Sequence, residues 1–169
     1  IADLPCQVDY ASEYRYRNPH VDKNSLLITI SQSGETADTL AALSYAKEKN
    51  YLGSVGICNV PTSSLARESD FVMFTNAGPE IGVASTKAFT TQLAALMLLT
   101  LSLAKSRNLN PMLRTRLVNG LRALPEIIDE TLELKDQIIK IAPNIANKEN
   151  ALFLGRGIFY PIAKEGALK

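Results

Sequence analysis

Three features of the sequence predict an α/β fold, a doubly wound parallel sheet with flanking helices. Short apolar runs of β type recur at Ser25 to Ser31, Leu52 to Asn59 and Phe71 to Thr75. Between them lie a helical pattern, Ala37 to Asn50, and a shorter turn or helix, Thr62 to Glu68. The runs are continuous rather than alternating, as in strands covered on both faces, and strand–helix alternation is what parallel βαβ units require.

The first run ends abruptly in Ser31-Gln32-Ser33-Gly34-Glu35-Thr36, after which Leu40, Leu43 and Ala46 are spaced for one buried helical face. Small hydroxyls therefore fall between a strand and a helix. There the first-turn N–H groups have no intrahelical acceptor and the macrodipole is positive, so a phosphate can be held by backbone donors and neutral side chains. Ser31, Gln32, Ser33 and Thr36 are the candidate phosphate ligands. The plain alternative is that Ser33 or Thr36 only caps the helix, worth about 1 kcal/mol, although four potential donors exceed what a cap needs. The turn has no Gly-Lys-Ser/Thr and only one glycine, Gly34, which argues against a nucleotide P-loop and a dinucleotide fingerprint.

Pro61-Thr62-Ser63-Ser64 can start the short helix through proline's preset dihedral and hydroxyl capping, and Asp70 marks the next strand. A second loop, Asn76 to Lys87, then concentrates glycine, amide, carboxylate and hydroxyl groups before a long apolar helix. An ordinary loop capped by Ser85 or Thr86 is its plain reading. Ligands of parallel sheets bind outside the carboxyl ends of the strands, where both loops fall, so the two should converge.

The apolar stretch Ala88 to Ala104 is shorter than the ~20 residues of a spanning helix and carries Thr90, Thr91, Gln92, Thr100 and Ser102, so a buried core helix is expected and no membrane. Beyond Asn110-Pro111, Leu117, Leu121 and Leu124 mark a packing helix. Pro125 separates it from a second amphipathic stretch containing Ile127, Leu132 and Ile138. Pro143 and the polar Asn147 to Asn150 suggest a boundary before a new strand, Ala151 to Leu154, ending in Gly155-Arg156-Gly157.

At 169 residues and 46% hydrophobic content the chain should be globular. Eighteen basic residues against seventeen acidic ones, with only Arg15-Tyr16-Arg17 as a basic cluster, point away from nucleic acid. Cys6, Cys58 and the single His20 offer no metal-ligand spacing, so no metal is assigned. Both cysteines are expected to be reduced, partly buried thiols of a cytoplasmic protein, and His20 a solvated loop residue. No cationic leader with an apolar core precedes the first strand, and a signal peptide is not expected.

Taken in order, Ala11-Ser12-Glu13-Tyr14-Arg15-Tyr16-Arg17, Ser31 to Thr36, Asn76 to Phe89, Leu154-Gly155-Arg156-Gly157 and Glu165-Gly166-Ala167-Leu168-Lys169 resemble the isomerase half of the glucosamine-6-phosphate synthases, built from two sugar isomerase (SIS) domains. The Ser-x-Ser-Gly-x-Thr turn alone indicates only a SIS domain, shared with sugar-phosphate-sensing regulators, and such a sensor is the alternative reading. A pure sensor would not need Lys169. The resemblance implies a flavodoxin-like SIS fold, incomplete at both ends. Residues 1–110 would be most of the first SIS domain without its first strand and helix, 111–150 a helical connection, and 151–169 the start of the second SIS domain.

By the same resemblance Ser31, Gln32, Ser33 and Thr36 hold the phosphate of fructose 6-phosphate or glucosamine 6-phosphate. The Val83 backbone and Ser85 contact the sugar, and Lys169 is the active-site lysine near the base. The implied chemistry is ring opening of fructose 6-phosphate, amination at C2 by ammonia from glutamine, and proton transfer from C1 to C2, a step serving UDP-N-acetylglucosamine synthesis. It needs no metal or organic cofactor. The family's glutaminase domain, catalytic glutamate, histidine and C-terminal lysine are not among these residues, so the 169 residues by themselves are expected to be inactive. Apolar helix surface makes a homodimer the expected assembly.

Overall fold

A computed structural model describes residues 1–82 and 85–169. The chain divides into two compact units, Ile1–Leu109 and Asn110–Lys169. The first contains α1 (Ala11–Tyr14), β1 (Leu26–Ile30), α2 (Ala37–Lys47), β2 (Gly53–Cys58), α3 (Ser64–Glu68), β3 (Phe71–Phe74) and α4 (Lys87–Lys105). All three apolar runs are strands, and they pair in parallel in the order β1-β2-β3. Leu27 lies opposite Ser54 and Thr29 opposite Gly56, while Gly56 lies opposite Val72 and Cys58 opposite Phe74.

That register puts Leu27, Cys58 and Val72 on one face, where α2 and α3 supply Leu40, Leu43, Leu65 and Ala66. Leu43, Leu65 and Cys58 are fully buried there. The helical spacing read from Leu40, Leu43 and Ala46 thus faces the core. On the other sheet face Val55 and Ile57 are buried and α4 lies against β2, whereas Leu26, Ile28 and Ile30 of β1 remain partly exposed. Helix α4 is less buried than its composition predicted. It encloses Ala88, Ala95, Leu101 and Ala104 but leaves Leu93 and Leu98 about half exposed, because a helix lying on a sheet buries only the side that meets it.

Two side-chain clasps hold the margins. Asp70, placed at the start of β3, accepts from the Ser54 N–H at 2.7 Å and the Ser54 hydroxyl at 2.8 Å, tying the beginnings of β2 and β3. These bonds hold its carboxyl below the usual aspartate range. Helix α1 is joined to the last turns of α2 by edge-on packing of Tyr14 on Tyr45, and to the chain beyond α2 by a 2.7 Å bond between the Tyr14 and Tyr51 hydroxyls. Cys58 is buried, as a reduced core thiol should be, but Cys6 is exposed rather than partly buried. His20 is exposed.

The second unit contains α5 (Pro111–Leu132), α6 (Lys135–Ile145), a 3₁₀ turn (Gly157–Phe159) and α7 (Tyr160–Leu168). Asn110 caps α5 by accepting from the Met112 and Leu113 N–H groups at 2.8 and 3.3 Å, and Pro111 follows in the first turn. Two expectations fail here. Pro125 does not separate helices, since α5 runs through it and the break falls at Glu133–Leu134. A proline forfeits one backbone bond, a cost that a 22-residue helix absorbs. Ala151 to Leu154 also takes no strand partner among the described residues. Phe153 instead lies so close to Gly166 of α7 that a Cβ there would come within 2.9 Å of its ring. An apolar run is strand-like only where a neighbouring strand offers its ladder; this one meets a helix.

Candidate functional site

Of the three strand-to-helix connections at the carboxyl end of the sheet, two carry the candidate residues. The first is the Ser31–Thr36 turn between β1 and α2. Its backbone is pinned to the sheet by the Ser31 N–H donating to the Ile57 carbonyl at 3.0 Å, and to α3 by the Leu65 N–H donating to the Gly34 carbonyl at 3.0 Å. Gly34 has φ +68°, and any Cβ at this position would collide with buried Ser63. Both the left-handed backbone and the close approach require glycine.

Within the turn the hydroxyls form a directed set. Ser31 Oγ accepts from the Gly34 N–H at 3.1 Å and pairs with Thr36 Oγ1 at 2.9 Å. When Ser31 donates in that pair, the Thr36 proton is left to point elsewhere. Ser33 Oγ accepts from the Glu35 N–H at 3.2 Å and likewise keeps its own proton. Thr36 occupies the N-cap position of α2, yet its side chain makes no capping bond to the described residues. The simple cap reading therefore fails for Thr36, and the leading amides of α2 face outward beside two hydroxyl donors. Asp38, the acidic residue of that first turn, has Arg15 at 3.7 Å, which offsets a carboxylate that would repel an anion. Donors without a carboxylate acceptor suit a phosphate.

Glu35 faces the other way. Its carboxylate accepts from the Ser64 N–H at 2.7 Å and so joins the Ser63 hydroxyl, which accepts from the Ala66 N–H at 3.3 Å, in capping α3; the bond from the Ser64 N–H, with the Ser64 side chain next, holds its pKa below the usual range. Sequence reading missed this role, because the partner lies 29 residues away.

The second connection, between β3 and α4, is built differently. Asn76 and Gly78 are in the left-handed region at φ +51° and +71°. Glu80 carries the helix end, accepting from the Thr86 N–H and the Ala88 N–H at 2.9 Å each. Thr86 stands at the N-cap position with no side-chain capping bond to the described residues, so the expected hydroxyl cap is supplied instead by a carboxylate from within the loop. Ser85 is partly buried just ahead of α4. Val83 lies outside the described residues. Lys169 follows α7 in the second unit, where its ammonium pairs with Glu165 at 3.0 Å. Among the described residues no three His, Cys, Asp or Glu side chains gather as a metal site.

Ser31, Gln32, Ser33 and Thr36 thus share one turn, and the second loop comes to the same end of the sheet as expected. The residue joining the two is Asn59, directly after β2. Its N–H donates to the Gln32 carbonyl at 3.0 Å and its carboxamide holds Thr75, Ala77 and Gly78. Its only sequence signal was its place at the carboxyl end of an apolar run.

The SIS domain family matches residues 1–102, the part of the chain that holds the three strands and both connections. The chain belongs to the SIS domain family. This SIS chain is 56% identical over all of its 169 residues to the glutamine–fructose-6-phosphate aminotransferase (isomerizing) of Escherichia coli K12, of which it spans 28%. The C-terminal domain of a glucosamine-fructose-6-phosphate aminotransferase from Francisella tularensis superposes on 99% of it with a TM-score of 0.95 and 52% identity, the match taking in 48% of that chain. A glucosamine-6-phosphate deaminase from Thermotoga maritima is more distant, at 28% identity and TM-score 0.56, covering 70% of this chain and 35% of its own. The SIS chain therefore spans less than a third of the length of the curated relatives it matches.

Proposed function

We propose that this SIS chain is part of the isomerase half of a glutamine-dependent fructose-6-phosphate aminotransferase, and that the Ser31–Thr36 turn grips the substrate phosphate. The observation that carries the reading is the N-terminus of α2, where the N-cap hydroxyl of Thr36 is turned to Ser31 rather than to the helix amides. An acceptor-only, doubly charged group fits a ring of N–H and O–H donors at a positive helix end. Identity of 56% to isomerizing aminotransferases favours this over a sugar-phosphate sensor.

In this reading Ser31, Gln32, Ser33 and Thr36 anchor fructose 6-phosphate or glucosamine 6-phosphate by its phosphate, and Val83 and Ser85 contact the sugar. Residues 1–110 make up most of one SIS domain, 111–150 a connection, and 151–169 the beginning of the next. Lys169 works beside the base that moves a proton between C1 and C2. Its ammonium is held by Glu165 at 3.0 Å, and a cation held in place can steady developing negative charge. Ammonia would come from a glutaminase domain elsewhere in a cytoplasmic homodimer, and the 169 residues alone would bind without turnover.

Single Ser33→Ala and Thr36→Ala substitutions in the full-length enzyme should each weaken fructose 6-phosphate binding by about 1–3 kcal/mol, the worth of a hydrogen bond to a charged group. Calorimetric titration reads this directly. Unchanged affinity in both single variants and in the double variant sinks the assignment.

A further inference from the structure

Asn59 is bonded to both connections at the carboxyl end of the sheet, and it divides its groups between them. Its backbone N–H reaches the Gln32 carbonyl of the phosphate turn at 3.0 Å. Its side chain reaches the other loop: Oδ1 accepts from the Ala77 N–H at 2.7 Å and from the Thr75 hydroxyl at 3.2 Å, and Nδ2 donates to the Gly78 carbonyl at 2.8 Å. A carboxamide offers acceptor and donor in one neutral plane; an aspartate could accept from Ala77 but could not donate to Gly78. The stretch it holds includes two left-handed residues, Asn76 and Gly78, and a non-glycine residue keeps that conformation only where its surroundings over-determine it. Glu80 anchors the far end of the same loop on α4.

We infer that Asn59 is a positioning residue of this site, whose carboxamide sets the Thr75–Gly78 segment at a fixed place relative to the phosphate turn. The inference deepens the proposed function and rests on it. A phosphate anchored on one loop delivers the sugar carbons productively only if the other loop stands where those carbons arrive. Replacing the side chain leaves the backbone bond to Gln32 in place. Substitution therefore disturbs the arrangement for chemistry and spares the grip on phosphate.

The experiment uses the full-length enzyme carrying Asn59→Ala or Thr75→Val, the second removing just one of the side chain's three bonds. Three quantities are measured: kcat with fructose 6-phosphate, the inhibition constant of inorganic phosphate competing with it, and hydrogen exchange at the Ala77 and Asn59 amides. In Asn59→Ala, kcat should fall about tenfold or more. The phosphate constant should stay within about twofold, as for a site not sharing the lost bonds. Protection of the Ala77 amide should fall while that of the backbone amide at position 59 is unchanged. Thr75→Val should move the same way by less, and it keeps the test open if Asn59→Ala does not fold. An unchanged kcat overturns the inference. So does a parallel loss of phosphate affinity and kcat, which a merely structural role would produce. Failure of inorganic phosphate to compete in the unsubstituted enzyme would overturn the phosphate assignment of the turn, and the division of labour between loops with it.

Discussion

The connections into α2 and α4 lie at one end of one sheet, and they treat the helix that follows in opposite ways. Before α4 the chain fills the helix end itself, with both oxygens of Glu80 bonded to amides. Before α2 the one carboxylate of the turn, Glu35, is sent to α3, and the N-cap hydroxyl of Thr36 is taken by Ser31. A helix N-terminus attracts anions in either case. On the proposed reading, what separates a structural end from a binding end is whether the protein has already supplied the anion, and this difference is invisible in the mere presence of hydroxyls, which both connections possess.

That contrast is most exposed to attack at Gly34. Gly34→Ala would force a Cβ into Ser63 at a left-handed position, and we expect a loss of about 2–4 kcal/mol in unfolding free energy together with loss of fructose 6-phosphate binding. A variant with native stability would show that the turn can open away from α3, and that its rigidity is not what holds the hydroxyls in place. Glu80→Ala tests the other connection. Removing a carboxylate that accepts two amides should cost about 1–3 kcal/mol by denaturant titration, with Glu80→Gln intermediate because it keeps an acceptor but not the charge. Equal behaviour of the two variants would mean that charge at the α4 end matters little.

The smallest effect concerns Glu35. Its folded pKa is depressed chiefly by the Ser64 N–H, so its contribution to stability is present above the ordinary glutamate value of 4.5 and is lost as pH falls through the depressed one. Thermal unfolding followed from pH 7 to pH 3 should show the native protein losing its lead over Glu35→Gln only in the acid limb. No lead of the native protein at neutral pH would argue that the carboxylate adds nothing to the Ser63 hydroxyl in capping α3.

Local chemistry decided much of this protein. The three strands follow from short continuous apolar runs, and α2 from one apolar face of period 3.6, because both patterns are complete within a dozen residues. The Ser31–Thr36 turn was legible for the same reason: its donors are neighbours in sequence, and strand–helix alternation alone places them at the carboxyl end of a parallel sheet. Tertiary structure decided where partners come from a distance. Glu35 caps a helix whose first amide is 29 residues on, and Asn59 bonds residues 16 to 19 positions ahead. Nothing in the spacing of Glu80 announces that it, and not Thr86, serves α4. Ala151 to Leu154 has the composition of a strand and meets a helix, and Pro125 has the look of a terminator and sits inside α5. A hydrogen-bonding group or an apolar run states only what it requires; which partner answers depends on the segments that packing brings beside it.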